Sequence, residues 1–160
     1  LLAQPYVIKD LDGHKAAIIG LTNQDATAIA RQVGSPPIRV LDPIETARQY
    51  VAEIGEQADI LIILSYLGVE ADKQLAAAVE GIDIIIGGLN GTALAPPLRE
   101  ATHGTLITQT GPPQGKTVGV LRLKIDSQGT VTEYTEQIYE LTPDFADDAE
   151  MREFLNNYQP

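Results

Sequence analysis

Two short runs of sequence decide the fold, Asp59-Ile60-Leu61-Ile62-Ile63-Leu64 and Asp83-Ile84-Ile85-Ile86. Each is an unbroken series of aliphatic, mostly β-branched residues, which is typical of a strand covered on both faces. Between the two runs, Leu75, Ala78 and Val79 recur at the spacing of one helix face. Strand, helix and strand in this order predict a right-handed βαβ unit and therefore an α/β fold.

Antiparallel strands are predicted on both sides of this unit. Apolar stretches flank the turn Asp12-Gly13-His14 near the start, and longer ones flank Asp126-Ser127-Gln128-Gly129 near the end. Each arrangement predicts a β-hairpin. Leu106-Ile107-Thr108 predicts one further strand, whereas the Gly-, Pro- and Thr-rich stretch from Gly87 to about Thr102 predicts a loop.

Three helices are expected in addition to the one inside the βαβ unit. Asn23 to Gly34 is weakly helical, and Asp42-Pro43-Ile44-Glu45 is a strong start signal in which Asp42 caps and Pro43 takes the first helical position. Thr142-Pro143-Asp144 predicts the opening of a final helix. The apolar face predicted for that helix consists of Met151, Phe154, Leu155 and Tyr158.

The composition excludes several classes of function. The 160 residues include 11 Lys and Arg against 22 Asp and Glu, for a net charge of −11, so we expect no affinity for nucleic acid phosphates and take the acidity as favouring solubility. The absence of cysteine excludes disulfides, thiolate zinc sites and cysteine nucleophiles. No apolar run approaches the roughly 20 residues of a membrane helix.

Three apparent motifs have simpler interpretations. The segment Gly111–Thr117 has one residue too few between its glycines for a phosphate-binding P-loop, and a strand is predicted after it instead of a helix. Asp10-Leu11-Asp12-Gly13 lacks the later ligands of a calcium loop and fits a hairpin turn. His14 and His103 have no carboxylate or second histidine at ligand spacing, which favours two solvated histidines.

Two loops remain as the places where a site is expected. In open α/β sheets, sites form at the carboxyl ends of the strands. Those ends carry Ser65-Tyr66-Leu67-Gly68 and Gly87-Gly88-Leu89-Asn90-Gly91-Thr92. Ser65 lacks the Gly-x-Ser-x-Gly turn that exposes a serine nucleophile, so spacing alone assigns no chemistry to it.

Four segments in order carry a resemblance to a known family. They are Lys15-Ala-Ala-Ile-Ile-Gly-Leu-Thr, Ala58 through Gly68, Gly81 through Thr92, and Gln109-Thr-Gly continuing through Lys116-Thr-Val-Gly-Val-Leu. Together they resemble the second half of the catalytic domain in the 5′-nucleotidase group of calcineurin-like metallophosphoesterases. That group reads Leu-Ser-His-x-Gly after the first buried strand and Gly-Gly-His-x-His-Thr after the second. The resemblance implies part of an αββα sandwich.

The departures from that pattern determine the functional expectation. The resemblance implies that the group's three histidines ligate two divalent metal ions, and this chain has Tyr66, Leu89 and Gly91 in their places. Leucine and glycine side chains cannot coordinate a metal, and a neutral phenol is a poor ligand. The resemblance therefore implies no metal site, no cofactor and no catalytic residue in this chain, and phosphatase activity is not expected of it.

The resemblance also implies a division of the chain and a partner for it. Residues 1–142 would form a metallophosphoesterase-like half domain, and residues 143–160 a C-terminal linker helix. The chain begins Leu-Leu rather than Met, which indicates a processed, truncated or partly observed product. Without a covering layer, the inner face of the sheet would be an exposed apolar patch. We therefore expect an upstream half domain, a second polypeptide or another copy of the chain as partner.

Three hypotheses about function follow. The first is a catalytically inactive, phosphoesterase-like module with a structural or protein-interaction role. The second is a fragment of an active metal-dependent phosphoesterase that needs its upstream half. The third is a binding module for a nucleotide-like small ligand, with Ser65, Tyr66, Asn90 and Thr92 as the residual pocket. A periplasmic, cell-surface or secreted location is implied by the resemblance alone.

Overall fold

A computed structural model describes residues 4–34, 36, 38–89, 91–111, 115–127 and 129–158. Six strands of the described residues form one sheet, in the spatial order β1-β2-β3-β4-β6-β5. Their bounds are β1 Tyr6–Leu11, β2 His14–Thr22, β3 Ile60–Tyr66, β4 Ile84–Gly87, β5 Ala93–Arg99 and β6 Leu106–Thr110. The pairs β2–β3, β3–β4 and β4–β6 are parallel, while β1 and β5 run antiparallel at the two edges. The predicted α/β fold is confirmed.

Two helices cover one face of this sheet. They are α2 (Pro43–Ile54) and α3 (Val69–Ala78), and α3 connects parallel strands β3 and β4, which confirms the βαβ unit. The Asp42 carboxylate caps α2 by accepting from the Glu45 amide at 2.9 Å, as predicted. Beneath these helices lies the main core, whose buried members are Ala17, Ile19, Leu21, Ala47, Ile54, Leu61, Ile63, Leu75, Ala76, Val79, Ile82, Ile85 and Ile107. We call this side the helix-covered face.

A separate hairpin packs on part of the opposite face. Its strands are β7 (Thr117–Ile125) and β8 (Val131–Glu140), and it confirms the second predicted hairpin. The Thr108 hydroxyl of β6 donates to the Glu136 carboxylate of β8. The turn between the hairpin strands reaches the start of β3, where Gly129 lies so close to the Asp59 carbonyl that a Cβ would overlap it. The hairpin thus runs across the sheet from β6 to the amino end of β3.

The carboxyl half of that same face is open. Strand alternation places Ile18, Ile62, Leu64, Tyr66 and Ile86 on it, and we call these five residues the open face. The last three are exposed by 48%, 49% and 39%, and the first two are partly buried. The prediction of strands covered on both faces is therefore wrong for these carboxyl ends within the described residues, whereas the prediction of an exposed apolar face agrees with them.

Two further predictions need correction. The stretch predicted as a loop contains β5, an edge strand with a register shift between Leu94 and Leu98, where edge position tolerates the prolines that suggested a loop. The final helix, α4 (Ala149–Asn157), begins later than Thr142 because Asp148 caps it by accepting from the Met151 amide at 2.8 Å. Its four predicted apolar residues are all more than half exposed.

The remaining helices are short. The weakly helical stretch forms α1 (Asp25–Gln32), and a 3-10 turn, Gly55–Gln57, follows α2. None of the helices within the described residues combines the length and the apolar character needed to cross a membrane.

Candidate functional site

The two loops singled out by the sequence lie side by side at one edge of the sheet. Because β3 and β4 are parallel and paired with Ser65 opposite Gly87, both strands end at the same level. Tyr66, the last residue of β3, has Thr22 at the end of β2 as its register partner on the other side. Neighbouring parallel strands therefore bring the segments Ser65–Gly68 and Gly87–Thr92 together, as expected for the carboxyl edge of an open α/β sheet.

The positions that the resemblance predicts to correspond to metal ligands belong to these two loops. The Tyr66 ring flanks the second loop, since a Cβ on Gly88 would lie 3.7 Å from Tyr66 Cδ2. Leu89 and Gly91 follow Gly88 in the same loop, and both are partly buried. Asn90, between them, lies outside the described residues. The fold thus places the phenol beside the loop that carries the other two positions.

The side chains at these positions do not fit a pair of divalent metal ions. They offer one neutral phenol oxygen, an isobutyl group and a hydrogen atom, whereas hydrolytic metal centres need several carboxylate, imidazole or comparable donors. Throughout the part of the chain that the structure describes, no three His, Cys, Asp or Glu side chains are grouped so as to hold a metal ion. No hydrolytic step through metal ions is derived for this chain.

Both histidines lie away from the two loops. His14 opens β2, and its Nδ1 is 3.9 Å from Asp59 Oδ2, an oxygen that also accepts from the Lys15 amide at 2.7 Å. Sequence spacing predicted no carboxylate near His14, but the tertiary fold brings Asp59 close to it. No third metal-binding side chain joins this pair in the described residues. His103 lies in the β5–β6 turn, where its amide donates to Glu100 Oε2 at 2.9 Å.

Ser65 faces inward instead of into solvent. Its hydroxyl donates to Asp72 Oδ1 on α3, and its oxygen accepts from the Leu67 amide at 3.1 Å. Ser65 is buried, and Asp72 is fully buried. The hydroxyl that was considered for a residual pocket is therefore already engaged beneath the loop.

Asp72 and Gln109 are polar residues that the sequence reasoning missed. Gln109, near the end of β6, is also buried, and its Nε2 donates to the Thr92 carbonyl at 2.7 Å. One signal could have revealed Asp72: it precedes Leu75 by three residues and Val79 by seven, so it falls on the apolar face of α3. Burial raises the pKa of Asp72, and hydrogen bonding from the Ser65 hydroxyl opposes that rise.

Of the remaining predicted pocket residues, Tyr66 and Thr92 are exposed. The structure therefore brings the three described positions of this predicted pocket to one edge but gives them different environments. Ser65 is a buried structural donor, Tyr66 and Thr92 face solvent, and Asn90 is outside the described residues. A small-ligand site at this edge would have the phenol of Tyr66 and the hydroxyl of Thr92 as its accessible polar groups.

Known proteins similar to this chain agree with its fold. No family model matches. The trifunctional nucleotide phosphoesterase YfkN of Bacillus subtilis is 33% identical over 129 residues, which cover 79% of this chain and 9% of that protein. The 5′-nucleotidase precursor of Thermus thermophilus has a TM-score of 0.73 and 27% identity, covering 95% of this chain and 33% of that chain. The sulfate thiohydrolase SoxB of the same organism has a TM-score of 0.75 at 21% identity, over 95% of this chain and 28% of that chain, and so shows the fold alone.

Two conclusions follow from these similarities. The chain spans a third or less of the length of these three proteins. Several further relatives are named 5′-nucleotidases, and a second structural neighbour is the calcineurin-like phosphoesterase YfkN itself. The resemblance that the strand-end loops indicated is therefore confirmed, and the chain is a homologue of the 5′-nucleotidases and calcineurin-like phosphoesterases that corresponds to part of those larger proteins.

Proposed function

We propose that this chain is a phosphoesterase-like module that has no hydrolytic metal centre of its own and has a structural, protein-binding role. The observation that carries the proposal is the donor set at the carboxyl edge of the sheet. Tyr66, Leu89 and Gly91 stand where the related enzymes are expected to have imidazole ligands. Loss of a single outer-shell partner commonly costs a metal site about 10 to 100-fold in affinity, and three missing direct ligands cost more.

The open face supports the protein-binding part of the proposal. Leu64, Tyr66 and Ile86 expose large apolar side chains next to one another, because Leu64 is the register partner of Ile86 and Tyr66 lies two residues further along β3. Contiguous apolar surface of this kind on a sheet marks a site of association. We propose that an upstream half domain covers it with a second sheet, in keeping with the small fraction of its relatives that this chain spans.

Association through the open face is tested by light scattering after size-exclusion chromatography of the 160-residue chain. The variant Leu64→Asp places a charge at the centre of the open face, and Leu11→Asp is its control at an exposed leucine on edge strand β1. We expect Leu64→Asp, but not Leu11→Asp, to abolish association, whether the partner is a second copy of the chain or an added upstream half. A monomer with no dye-binding apolar surface would contradict the proposal.

The absence of a hydrolytic centre is tested separately. Metal content is measured after dialysis against zinc and manganese, together with hydrolysis of bis(p-nitrophenyl) phosphate. We expect substoichiometric metal and no turnover above the rate of a chelator-treated sample. Stoichiometric metal with chelator-sensitive turnover would instead support the second hypothesis, an active phosphoesterase fragment whose ligands are completed by an upstream half.

The third hypothesis, a small-ligand binding module, depends on exposed polar groups at the same edge. Tyr66 and Thr92 are accessible there, and Ser65 is engaged with Asp72. Adenosine monophosphate is the probe in a thermal-shift titration, with Tyr66→Phe and Thr92→Val as matched variants that each remove one hydroxyl. A saturable shift that both variants weaken would favour this hypothesis over the structural module.

Two further parts of the proposal concern the context of the module. Residues 143–160 are proposed to link it to a following domain, which is supported by the way α4 exposes its apolar residues instead of packing them on the sheet. A location outside the cytoplasm is proposed by analogy with relatives such as the 5′-nucleotidase named for snake venom. Limited proteolysis that removes α4 without changing the unfolding of the rest would support the first part.

A further inference from the structure

A line of hydrogen bonds runs beneath the two strand-end loops. At one end, the Leu67 amide donates to Ser65 Oγ at 3.1 Å, and the Ser65 hydroxyl donates to Asp72 Oδ1. At the other end, Gln109 Nε2 donates to the Thr92 carbonyl at 2.7 Å. The two parts start from different loops and approach each other inside the protein, at the level where β3, β4 and β6 end.

The line has a gap at its centre. Asp72 Oδ2 and Gln109 Oε1 are both buried, and neither has a hydrogen-bond partner among the residues that the structure describes. Both oxygens approach Gly87, where a Cβ would lie 3.0 Å from Oδ2 and 2.8 Å from Oε1. Two buried acceptors that share one small space without a protein donor are costly to the fold, because burial of a polar atom is offset only by a hydrogen bond.

The missing proton cannot come from either end of the line. The Thr92 carbonyl only accepts, so it fixes the Gln109 amide with Nε2 towards Thr92 and Oε1 towards Gly87. Rotating the Gln109 amide by half a turn would place its Oε1 against the Thr92 carbonyl oxygen, and two acceptors form no hydrogen bond. The single hydroxyl proton of Ser65 is directed at Asp72 Oδ1. Asp72 is then the one member of the group that can supply a donor, from Oδ2 in its neutral form.

We infer that Asp72 is a neutral carboxylic acid that donates from Oδ2 to Gln109 Oε1 and thereby joins the two strand-end loops through one continuous hydrogen-bond chain. The chain then runs from the Leu67 amide to the Thr92 carbonyl. Asp72 acts as a positioning residue for both loops. This inference goes beyond the proposed function, since it holds for a structural module and for a ligand-binding one alike.

The surroundings of Asp72 are consistent with a neutral acid. On β3 its carboxyl is bonded by Ser65, and on β4 it approaches Gly87, which Gln109 Oε1 approaches from β6. None of these three residues is charged or titrates in the ordinary pH range. Burial raises the pKa of this carboxyl, and the one opposing influence is the hydrogen bond from Ser65. A neighbouring cation, which would favour the ionised form, is not among the influences on it.

The first test compares Asp72→Asn with wild type in urea unfolding between pH 4 and 8. Asparagine keeps an acceptor for Ser65 and places an amide donor where the proton would be, so we expect it to preserve the chain of hydrogen bonds. An unfolded aspartate releases its proton near pH 3.9, whereas the folded one retains it, so folding binds a proton above that pH. As the pH rises, the folding equilibrium constant of the wild type should therefore fall relative to that of the asparagine variant, by up to about tenfold per pH unit. The fall should stop at the pH where the folded carboxyl ionises.

The second test observes the proton state directly. Carbon-13 spectra of protein labelled at aspartate carboxyls are recorded from pH 3 to 8, and Asp72 is assigned by the signal missing from the Asp72→Asn variant. We expect that signal to keep the shift of a neutral acid after the signals of exposed aspartates have moved to the ionised position. An Asp72 signal that moves near pH 4, together with those of the exposed aspartates, would overturn the inference. So would a ratio of wild-type to Asp72→Asn folding equilibrium constants that does not change with pH.

Discussion

The two faces of the central sheet are built from the same aliphatic runs yet end in different states. On the helix-covered face, α2 and α3 seal the sheet along its whole length, and its aliphatic side chains are buried from end to end. On the opposite face, the hairpin β7–β8 seals the amino half, where Ala16, Ile60, Ile84 and Leu106 are buried, and the open face begins beyond it. Burial is thus decided by what packs on a strand, not by the composition of the strand.

Adjacent residues of β3 show the contrast most directly. Ile63 is completely buried, whereas Leu64, the next residue, is 48% exposed. A continuous apolar run marks both as core, since neither residue type nor spacing separates them. The difference teaches that the described residues of this chain cover one face completely and leave part of the other face exposed.

The largest expected effect is a difference in the free energy of unfolding between variants of these two residues. Ile63→Ala should lower the free energy of unfolding by about 2–5 kcal/mol because it leaves a cavity in the sealed core. Leu64→Ala should cost about 1 kcal/mol or less, since little buried contact is lost. Urea unfolding of both variants measures the comparison, and equal losses would mean that the open face is covered in solution.

A smaller effect tests whether the hairpin seals the amino half of the second face. Gly129→Ala should cost about 2–4 kcal/mol, because φ is +83° there and the new Cβ would overlap the Asp59 carbonyl. Gly13→Ala is the matched control in the first hairpin, where φ is +95° but no atom lies within 4 Å of the new Cβ. Thermal unfolding should show a loss of only about 1–2 kcal/mol for the control.

If the two glycine variants lost the same stability, the contact between the hairpin turn and β3 would contribute nothing. The backbone cost of a positive φ is common to both positions, so their difference isolates the packing of Gly129 against Asp59. A clear difference would mean that the hairpin packs on the sheet. No difference would mean that it is stabilised only by the hydrogen bonds between β7 and β8.

The smallest effect compares helix caps on packed and unpacked helices. Asp42→Ala should cost about 1 kcal/mol of global stability, because Asp42 caps α2 on the helix-covered face. Asp148→Ala removes the same kind of cap from α4, whose apolar residues are exposed, so it should reduce helical circular dichroism with little change in the urea midpoint. A matching loss of global stability in the Asp148 variant would indicate that α4 packs on the rest of the molecule.

Local chemistry accounts for the parts of the fold that were predicted from the sequence. The βαβ unit, both hairpins and the cap of α2 depend on residues within a few positions of one another, such as Asp42 and Pro43. Two elements were mispredicted where a local signal had two meanings. The Pro96-Pro97 pair indicated a loop but is tolerated on edge strand β5, and Pro143 indicated a helix start that Asp148 provides instead.

The site was predictable only as far as its loops. Parallel pairing follows from the βαβ pattern, so the sequence placed Tyr66, Leu89 and Gly91 at one edge. The prediction that metal ligands are missing there comes from the family resemblance. It did not predict that Ser65 points inward, because the direction of a strand-end side chain depends on which face the helices cover. The sequence reasoning missed Asp72 and Gln109 for the same reason. They lie 37 residues apart, and their side chains approach each other only after β6 pairs with β4.

The sequence by itself determined the order of elements, the edge at which a site would form and the chemical groups present there, because these depend on residue type and short-range spacing. The tertiary structure alone decided which aliphatic residues are sealed, that the Ser65 hydroxyl is engaged and that Asp72 is buried opposite Gln109. The physical reason is that burial and hydrogen-bond partnership are properties of pairs of distant surfaces. No single stretch of sequence contains both members of such a pair.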